Sequence, residues 1–171
     1  MHKAGSPKLI CFALIAVSSS RYEKIKSGEK VEDSSGDVIL NFVEAAGYKV
    51  TYATIISDDK NQIIEAVTKV LNDPDVDVIV TYGGTGISQL DITIETLKPM
   101  FEKELPGFGE LLRKISYDQI GSASILTRAT AGIAKEKIIF CLPGSSQAVE
   151  TAMRNLVIPE AAHITKHIRE K

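Results

Sequence analysis

Four short polar segments follow four apolar runs of the sequence, and they contain residue types that could bind a phosphorylated ligand. Ligands of open α/β sheets bind outside the carboxyl ends of the strands. If the four apolar runs are parallel strands, all four segments lie along one edge of the sheet and could form one site. The segments are Ser18-Ser19-Ser20, Ser57-Asp58-Asp59, Gly83-Gly84-Thr85-Gly86 and Pro143-Gly144-Ser145-Ser146.

The glycine-rich segment 83–86 is the strongest of these candidates for an anion site. Glycine accepts positive φ and lets a ligand approach the backbone closely, and the amides that begin a following helix attract anions. The segment lacks the Gly-Lys-Ser/Thr ending of a Walker A loop and the third glycine of a dinucleotide fingerprint. Its local pattern therefore leaves two interpretations, a phosphate-binding loop and a plain tight turn.

Two acidic residues accompany these segments. Asp58 follows one apolar run, and Asp91 follows the glycine segment, with Thr93 and Glu95 shortly after it. Carboxylates at adjacent strand ends could hold the magnesium ion that phosphoryl-transfer sites require. Taken singly, each acid could instead cap a helix or complement its dipole. Because both acids accompany one glycine loop, we favour magnesium binding.

The cysteines and histidines favour structural over catalytic roles. Cys11 and Cys141 lie inside apolar runs, which is typical of buried packing residues. No Cys/His spacing resembles a zinc site. His163 and His167 are four residues apart on a predicted last helix. That spacing could bind a metal, but it is also typical of a solvated helix face, which we favour.

An alternation of strand and helix patterns positions the four segments. Apolar or alternating runs predict strands at 9–17, 49–56 and 76–82, and two more within 125–144 joined by a turn at 135–136. Helical spacing predicts helices between them and after them, with Ser145 as an N-cap and Pro159 in the first turn of the last helix. The polar segment 18–35 is predicted to be a long loop. We therefore expect a three-layer α/β/α fold with a mostly parallel central sheet, formed by residues 1–171 as a single domain.

The opening apolar run has a second interpretation. Residues 1–20 combine a positive start, an apolar stretch and small residues, as in a secretory signal. We favour a buried first strand, since its removal would take the opening element from the α/β pattern. No apolar stretch is long enough to span a bilayer. We therefore expect a cytoplasmic protein that has no membrane partner.

Charge argues against a nucleic-acid partner. Twenty Lys and Arg residues stand against 22 Asp and Glu residues, for a formal net charge of −2 among 171 residues. Without a global basic field, an anionic ligand must be held locally by backbone amides, a few cations or a metal ion.

Longer motifs resemble a known family. The stretches TYGGTGISQLDITIETLKPMF, ELPGFGELLRKIS, LTRATAGI and FCLPGSSQAVETAM resemble the MoaB/MogA family of molybdenum cofactor biosynthesis proteins, and MoaB most closely. VSSSRY, DSSGDVI, EAAGYKV and IISDDKNQI fit the N-terminal half of the same family. The resemblance extends from about Leu9 to about Ile168.

The resemblance implies a molybdopterin-binding fold and, for active members, adenylylation of molybdopterin by Mg-ATP. Asp58 and Asp91 fall on the family's two functional aspartates. Its nucleotide and pterin contacts fall on the glycine loop and on Leu142, Pro143, Gly144 and Ser145, and we expect Ser18 to join them. Molybdopterin and ATP are then the substrates, with Mg²⁺ as cofactor, and the pathway product is a molybdenum or tungsten cofactor.

Three positions depart from the family pattern. Leu90 stands where many members have Arg, Ser146 where many have Pro, and Tyr82 where Thr is common. Losing an arginine removes a bidentate donor to phosphate or carboxylate. Some branches of the family lack adenylyltransferase activity, so the resemblance implies that these changes bear on catalysis more than on binding. Three functional hypotheses follow: an adenylyltransferase, which we favour; a non-catalytic molybdopterin-binding or carrier protein; and a structural oligomer with a vestigial site.

The resemblance also implies a homotrimer or homohexamer. A weaker argument comes from apolar residues that we expect at the periphery of the sheet, where an exposed patch would favour self-association. The alternative is that they complete the core of one chain. These residues are Leu105, Phe108, Leu111, Leu112, Leu156, Val157 and Ile158.

Overall fold

A six-stranded sheet forms the centre of the fold. The computed structural model describes residues 5–170. The strands are β1 (Cys11–Val17), β2 (Lys49–Ile56), β3 (Val78–Tyr82), β4 (Lys103–Glu104), β5 (Thr130–Ala134) and β6 (Lys137–Leu142). Their order is β2-β1-β3-β6-β5-β4. β2, β1, β3 and β6 are mutually parallel, whereas β5 runs antiparallel to both β6 and β4. The predicted mostly parallel sheet is confirmed.

Helices cover both faces of the sheet. They are α1 (Ser19–Lys26), α2 (Ser34–Ala45), α3 (Lys60–Leu71), α4 (Thr93–Leu97), α5 (Pro106–Ile120), α6 (Ser146–Ala152) and α7 (Ile158–Arg169). A single-turn 3₁₀ segment occurs at Lys98–Met100 and a longer one at Gly121–Leu126, and a π segment, Met153–Val157, joins α6 to α7. No helix among residues 5–170 is long and apolar enough to cross a membrane.

The continuous apolar character of the first run has a direct structural cause. Successive side chains of a strand point to opposite faces. Phe12, Leu14 and Ala16 pack in the core on one side of the sheet, and Ile15 and Val17 pack in the core on the other side. β1 therefore needs apolar residues at every position, and the run forms the predicted strand.

Two expectations from the sequence are wrong. Segment 18–35 is not one long loop, because it contains α1 and the start of α2. No residue of α1 is buried, so this helix lacks the apolar stripe by which a sequence pattern reveals a helix. The expected peripheral patch is also wrong for its three buried residues, Phe108, Leu112 and Val157, and three more are partly buried against the core. Leu111 is 51% exposed, whereas the others belong to one core cluster or pack against it, namely Leu105, Phe108, Leu112, Leu156, Val157 and Ile158.

The hairpin of β5 and β6 forms as predicted at residues 135–136. Lys135 and Glu136 both have positive φ, 47° and 58°. Positive φ at both central residues is the requirement of a type I′ turn, whose twist matches that of the flanking strands. The turn reverses the chain and brings β6 into the parallel part of the sheet, where its carboxyl end joins those of β1, β2 and β3.

Gly132 allows close packing of an aromatic ring on β5. A Cβ atom at Gly132 would overlap the ring of Phe101, whereas one at Gly107 would meet no atom within 4 Å. We expect Gly132→Ala to lower the free energy of unfolding by about 1–3 kcal/mol, because overpacking forces neighbours to shift. Gly107→Ala, on α5, is the matched control and should leave the stability unchanged or slightly higher. Urea unfolding of both variants checks this, and equal stabilities would contradict it.

Candidate functional site

The carboxyl ends of β1, β2, β3 and β6 meet at one edge of the sheet. The Ser18 amide donates to the Ile56 carbonyl over 2.8 Å, which joins the ends of β1 and β2. The Gly83 amide donates to the Leu142 carbonyl over 3.1 Å, which joins the ends of β3 and β6. The four polar segments therefore lie side by side, as the sequence predicted.

Glycines allow three of these segments to touch. Gly83 and Gly84 have φ of 96° and 63°, which L side chains rarely adopt. A Cβ atom at Gly83 would overlap the Val17 carbonyl oxygen, and one at Gly84 would lie 2.9 Å from Asp58 Oδ1. A Cβ atom at Gly144 would lie 3.2 Å from the Gly83 Cα atom. The glycine loop is thus pressed against β1, Asp58 and the loop after β6.

Two hydrogen bonds from Thr93 fix the backbone of the glycine loop. The Thr93 hydroxyl donates to the Gly83 carbonyl, and the Thr93 amide to the Gly84 carbonyl, each over 2.9 Å. Among the hydrogen bonds formed within residues 5–170, none uses the amides of Gly84 and Thr85. Two adjacent donors are therefore not used within the described chain, as a phosphate-binding loop would require.

Asp58 is held by Ser19, the first residue of α1. Its Oδ2 atom accepts from the Ser19 amide and hydroxyl over 2.8 and 2.7 Å, and the Asp58 amide donates to the same hydroxyl over 2.9 Å. The N-cap of α3 is Asp59, which accepts from the Gln62 amide. Asp58 therefore does not cap the helix that follows it, and its carboxylate instead satisfies the first amide of α1. Within the described chain, the hydrogen bonds to its carboxylate all fall on Oδ2, while Oδ1 faces Gly84.

Asp91 closes the outer part of the loop. Its Oδ2 atom accepts from the Ser88 amide over 2.9 Å. The Ser88 hydroxyl, then the Ser88 and Gly86 amides and the nearby Arg128 guanidinium, hold the pKa of Asp91 below its usual range, against the opposing effect of partial burial. The N-cap of α4 is Ile92. Asp91 is thus a carboxylate that stays ionised and shapes residues 86–91.

The sequence suggested that the two acids lie at adjacent strand ends, but in the structure they do not. Asp58 follows β2 and Asp91 comes after β3, and β1 lies between these two strands. Asp58 faces Gly84, whereas the Asp91 carboxylate faces Gly86. In the described part of the chain, no three His, Cys, Asp or Glu side chains form a group that could hold a metal ion. Any ion here would need ligands from a substrate or from water.

An arginine beside the glycine loop was missed by sequence reasoning. Arg128 Nη1 donates to the Gly86 carbonyl over 2.7 Å, and its other terminal nitrogen pairs with Glu95. Leu90, where many MoaB/MogA members have Arg, is 69% exposed. The guanidinium beside this loop thus comes from Arg128, in the segment before β5, and not from position 90. Only the fold brings the two together, so no local pattern could have revealed the contact.

A second missed group joins β3 to two helices. The Tyr82 hydroxyl donates to Asp33 Oδ2, and Arg21 pairs with Asp33 Oδ1. Asp33 also caps α2 through the Gly36 amide. Burial, followed by the hydrogen bond to Asp33, raises the pKa of Tyr82 well above its usual range. Tyr82, a departure from the family pattern, thus anchors the end of β3 to α1 and α2.

The loop after β6 is anchored by serines. Ser145 caps α6 by accepting from the Ala148 amide, as predicted. The Ser146 hydroxyl lies 3.0 and 3.2 Å from those of Ser34 and Ser35. The Ser35 hydroxyl also donates to the Gly144 carbonyl over 2.8 Å. The serine at position 146 therefore ties this loop to α2.

A cavity of about 250 Å³ opens beside this loop. Ile120, Leu126 and Pro143 contribute apolar walls, and Gln119, Thr127 and Ser145 contribute polar groups. Apolar walls with a few polar groups suit a flat heterocycle. Leu142, by contrast, is fully buried, so it contributes its carbonyl to the loop rather than its side chain to the cavity.

Comparisons with known proteins agree with this arrangement. Residues 13–163 match the family model described as "Probable molybdopterin binding domain". The chain is 41% identical to "Molybdenum cofactor biosynthesis protein B" of Bacillus subtilis over 170 residues, 99% of this chain and 96% of that protein. It is 44% identical to the "Probable molybdopterin adenylyltransferase" of Methanocaldococcus jannaschii, over 99% of both chains.

A solved structure has the same fold. The crystal structure of the tungsten cofactor synthesizing protein MoaB from Pyrococcus furiosus superposes with a TM-score of 0.84 at 43% identity, covering 96% of this chain and 100% of that one. The matched family, the identities over nearly full length and the shared fold together show that this chain belongs to the molybdopterin-binding domain family of molybdenum cofactor biosynthesis proteins.

Proposed function

We propose that this protein is a molybdopterin adenylyltransferase that uses Mg-ATP and acts in molybdenum or tungsten cofactor biosynthesis. One observation carries the proposal. Gly84, whose amide is unpaired like that of Thr85, lies against Asp58 Oδ1, so candidate phosphate donors and a carboxylate occur on one loop edge. Relatives named molybdopterin adenylyltransferase at 44% and 43% identity support it. Use of ATP also fits the cytoplasmic location expected from the sequence.

The two substrates are assigned to neighbouring parts of the edge. The unused amides of Gly84 and Thr85 would hold nucleotide phosphates, since oriented backbone amides bind anions. Gly83 and Gly86 would shape the loop, because their amides already donate to the Leu142 carbonyl and to Asp91. The cavity beside Pro143 and Ser145 would hold the pterin. Because Gly144 lies against Gly83, the two ligands would meet where their phosphates react.

Asp58 and Asp91 are the residues that would hold Mg²⁺. Mg²⁺ is often bound by one or two carboxylates together with substrate phosphates and water. Asp58 fits this description, because Ser19 occupies only its Oδ2 atom. Asp91 follows β3, with β1 between it and Asp58, so it would join through water or a substrate phosphate. A bound Mg²⁺ would neutralise charge on the triphosphate.

The chemistry is a transfer of AMP. The terminal phosphate of molybdopterin attacks the α-phosphorus of ATP, a new P–O bond forms, and the bond to the β-phosphate breaks to release pyrophosphate. The chain itself would contribute mainly position and charge. The amides of the glycine loop would orient the nucleotide, and the Arg128 guanidinium would add positive charge beside Gly86.

A second candidate is a non-catalytic molybdopterin-binding or carrier protein. The exposed Leu90 favours it, since an arginine there would offer a bidentate donor to phosphate. The position of Arg128 favours the enzyme, because a cation still lies beside the loop.

Asp58 and Asp59 provide a matched pair for testing catalysis. We expect Asp58→Asn to lower the formation of adenylylated molybdopterin by about 100-fold or more, the scale of losing one electrostatic contact to a transition state. Asp59→Asn should keep full activity, because asparagine caps a helix as well as aspartate does. The product is measured by mass spectrometry after incubation with molybdopterin and Mg-ATP.

Equal activity of the two variants, with unchanged melting, would remove Asp58 from the mechanism. Molybdopterin binding without any adenylylated product in the wild-type protein would favour the carrier.

Gly84 and Gly28 provide a second matched pair. Both have positive φ, 63° and 81°, but a Cβ atom at Gly28 would meet nothing within 4 Å. Gly84→Ala and Gly28→Ala therefore share the backbone strain, and only the former disturbs Asp58 and the free amides. Calorimetric titration with Mg-ATP should show binding lost in Gly84→Ala and retained in Gly28→Ala. Wild-type affinity in a folded Gly84→Ala would identify the loop as a plain turn.

We also propose that the chain assembles into a homotrimer or homohexamer. Support comes from apolar side chains other than those chosen from the sequence. Tyr117, Ile120, Ile125 and Leu126 are exposed near the pterin cavity, and Ile87 and Leu90 are exposed on the loop that Arg128 contacts. Exposed apolar groups of this kind mark association surfaces.

Sedimentation equilibrium tests the assembly. The wild-type protein should sediment at three or six times the chain mass of 18.6 kDa. Ile125→Asp, at a position 82% exposed, should shift it toward the single chain, while Ile25→Asp, on α1 and 46% exposed, should not. A wild-type mass of 18.6 kDa across micromolar concentrations would refute the assembly.

A further inference from the structure

Two histidines face each other on α7, at the opposite edge of the sheet from the site described above. Near the end of this helix Arg169 pairs with Asp77, which directly precedes β3. Asp77 Oδ2 accepts from the Cys11 amide, at the first residue of β1. The last turn of α7 is therefore at the amino ends of the strands. A ligand at these histidines would be separate from the proposed nucleotide and pterin sites, and its binding would not depend on the proposed function.

The two rings approach each other through the same atom. His163 Nε2 and His167 Nε2 lie 2.9 Å apart, and the rings meet edge to face. The other nitrogen of each ring faces a carboxylate. His163 Nδ1 is 2.9 Å from Glu160 Oε2, and His167 Nδ1 is 2.7 Å from Glu170 Oε2. Each side chain is thus oriented by its own glutamate.

The two carboxylates determine which nitrogen of each histidine ring carries the hydrogen, and therefore whether the facing Nε2 atoms have lone pairs. An ionised carboxylate only accepts hydrogen bonds, so both Nδ1 atoms carry their hydrogen. A neutral imidazole that carries hydrogen on Nδ1 has a lone pair on Nε2. Two lone pairs 2.9 Å apart repel unless a cation lies between them. The geometry therefore requires a shared proton or a metal ion.

We propose that His163 and His167 bind a divalent transition-metal ion through their Nε2 atoms. Metal–imidazole bonds of roughly 2.05 Å place two ligands at right angles about 2.9 Å apart. The observed separation has this value, which a hydrogen bond through a shared proton also has, so no movement of the rings is needed when an ion replaces that proton. Right angles are typical of tetragonal and octahedral sites, which Cu²⁺ and Ni²⁺ prefer.

The surroundings suit an exchangeable ion. The side chains of His163 and His167 are 23% and 53% exposed, so the ion can reach them from solvent. In the described region, no third His, Cys, Asp or Glu joins them as a metal-binding group. Water would therefore complete the coordination. Glu160 and Glu170 would act as the carboxylate partners that commonly orient metal-bound histidines.

Calorimetric titration of the full chain with Ni²⁺ tests the site. The wild-type protein should bind one Ni²⁺ per chain, and His163→Ala and His167→Ala should each abolish this binding. Glu170→Gln should weaken it about 10- to 100-fold, as removal of an orienting partner does. His2→Ala is the matched control, because His2 is the remaining histidine of the sequence, and it should bind as the wild type does.

Circular dichroism shows whether each variant is folded, and a second measurement identifies the ligands. Electron paramagnetic resonance of the Cu²⁺-loaded protein should show hyperfine coupling to two imidazole nitrogens, and this two-nitrogen signal should be absent in His167→Ala. Wild-type Ni²⁺ affinity in folded His167→Ala, or loss of binding in His2→Ala alone, would overturn the proposal.

Discussion

The candidate site depends on the close approach of a glycine turn to two neighbouring strand ends. Gly83 presses against the Val17 carbonyl, and Gly84 lies against Asp58. Any side chain at these positions would separate the end of β3 from β1 and from the loop after β2. The approach also requires positive φ, which glycine alone adopts at little cost. Because Gly144 in turn rests on Gly83, the loop after β6 depends on the same contact.

Several polar side chains fix the loops around the candidate site by hydrogen bonds to other protein groups, and we assign them no contact with a ligand. Ser19 braces Asp58, Thr93 holds the carbonyls of the glycine turn, and Asp33 receives both Tyr82 and Arg21. Each of these contacts satisfies groups that would otherwise be unpaired near the protein interior. The result is a preorganised edge on which two amides and one carboxylate oxygen remain free. Preorganised donors are what a charged transition state needs.

The sequence predicted the parallel strands and the convergence of four loops, because strand patterns and strand-end segments are local. It could not separate Asp58 from Asp59 as the helix cap, since both occur in one Ser-Asp-Asp segment. It missed α1, which buries no residue and so has no apolar stripe. It also missed Arg128 and the Tyr82–Asp33 contact, which join distant parts of the chain. Apolar residues such as Phe108 and Leu112 were expected at an interface, because periodicity shows that a helix face is buried but not what covers it.

The central claim is that the glycine turn binds the phosphates of the nucleotide beside Asp58. A crystal structure of the protein with molybdopterin and a non-hydrolysable ATP analogue tests it most directly. We expect phosphate oxygens within hydrogen-bonding distance of the Gly84 and Thr85 amides, with the pterin beside Pro143 and Ser145. A nucleotide bound elsewhere, with these two amides contacting only water, would contradict it.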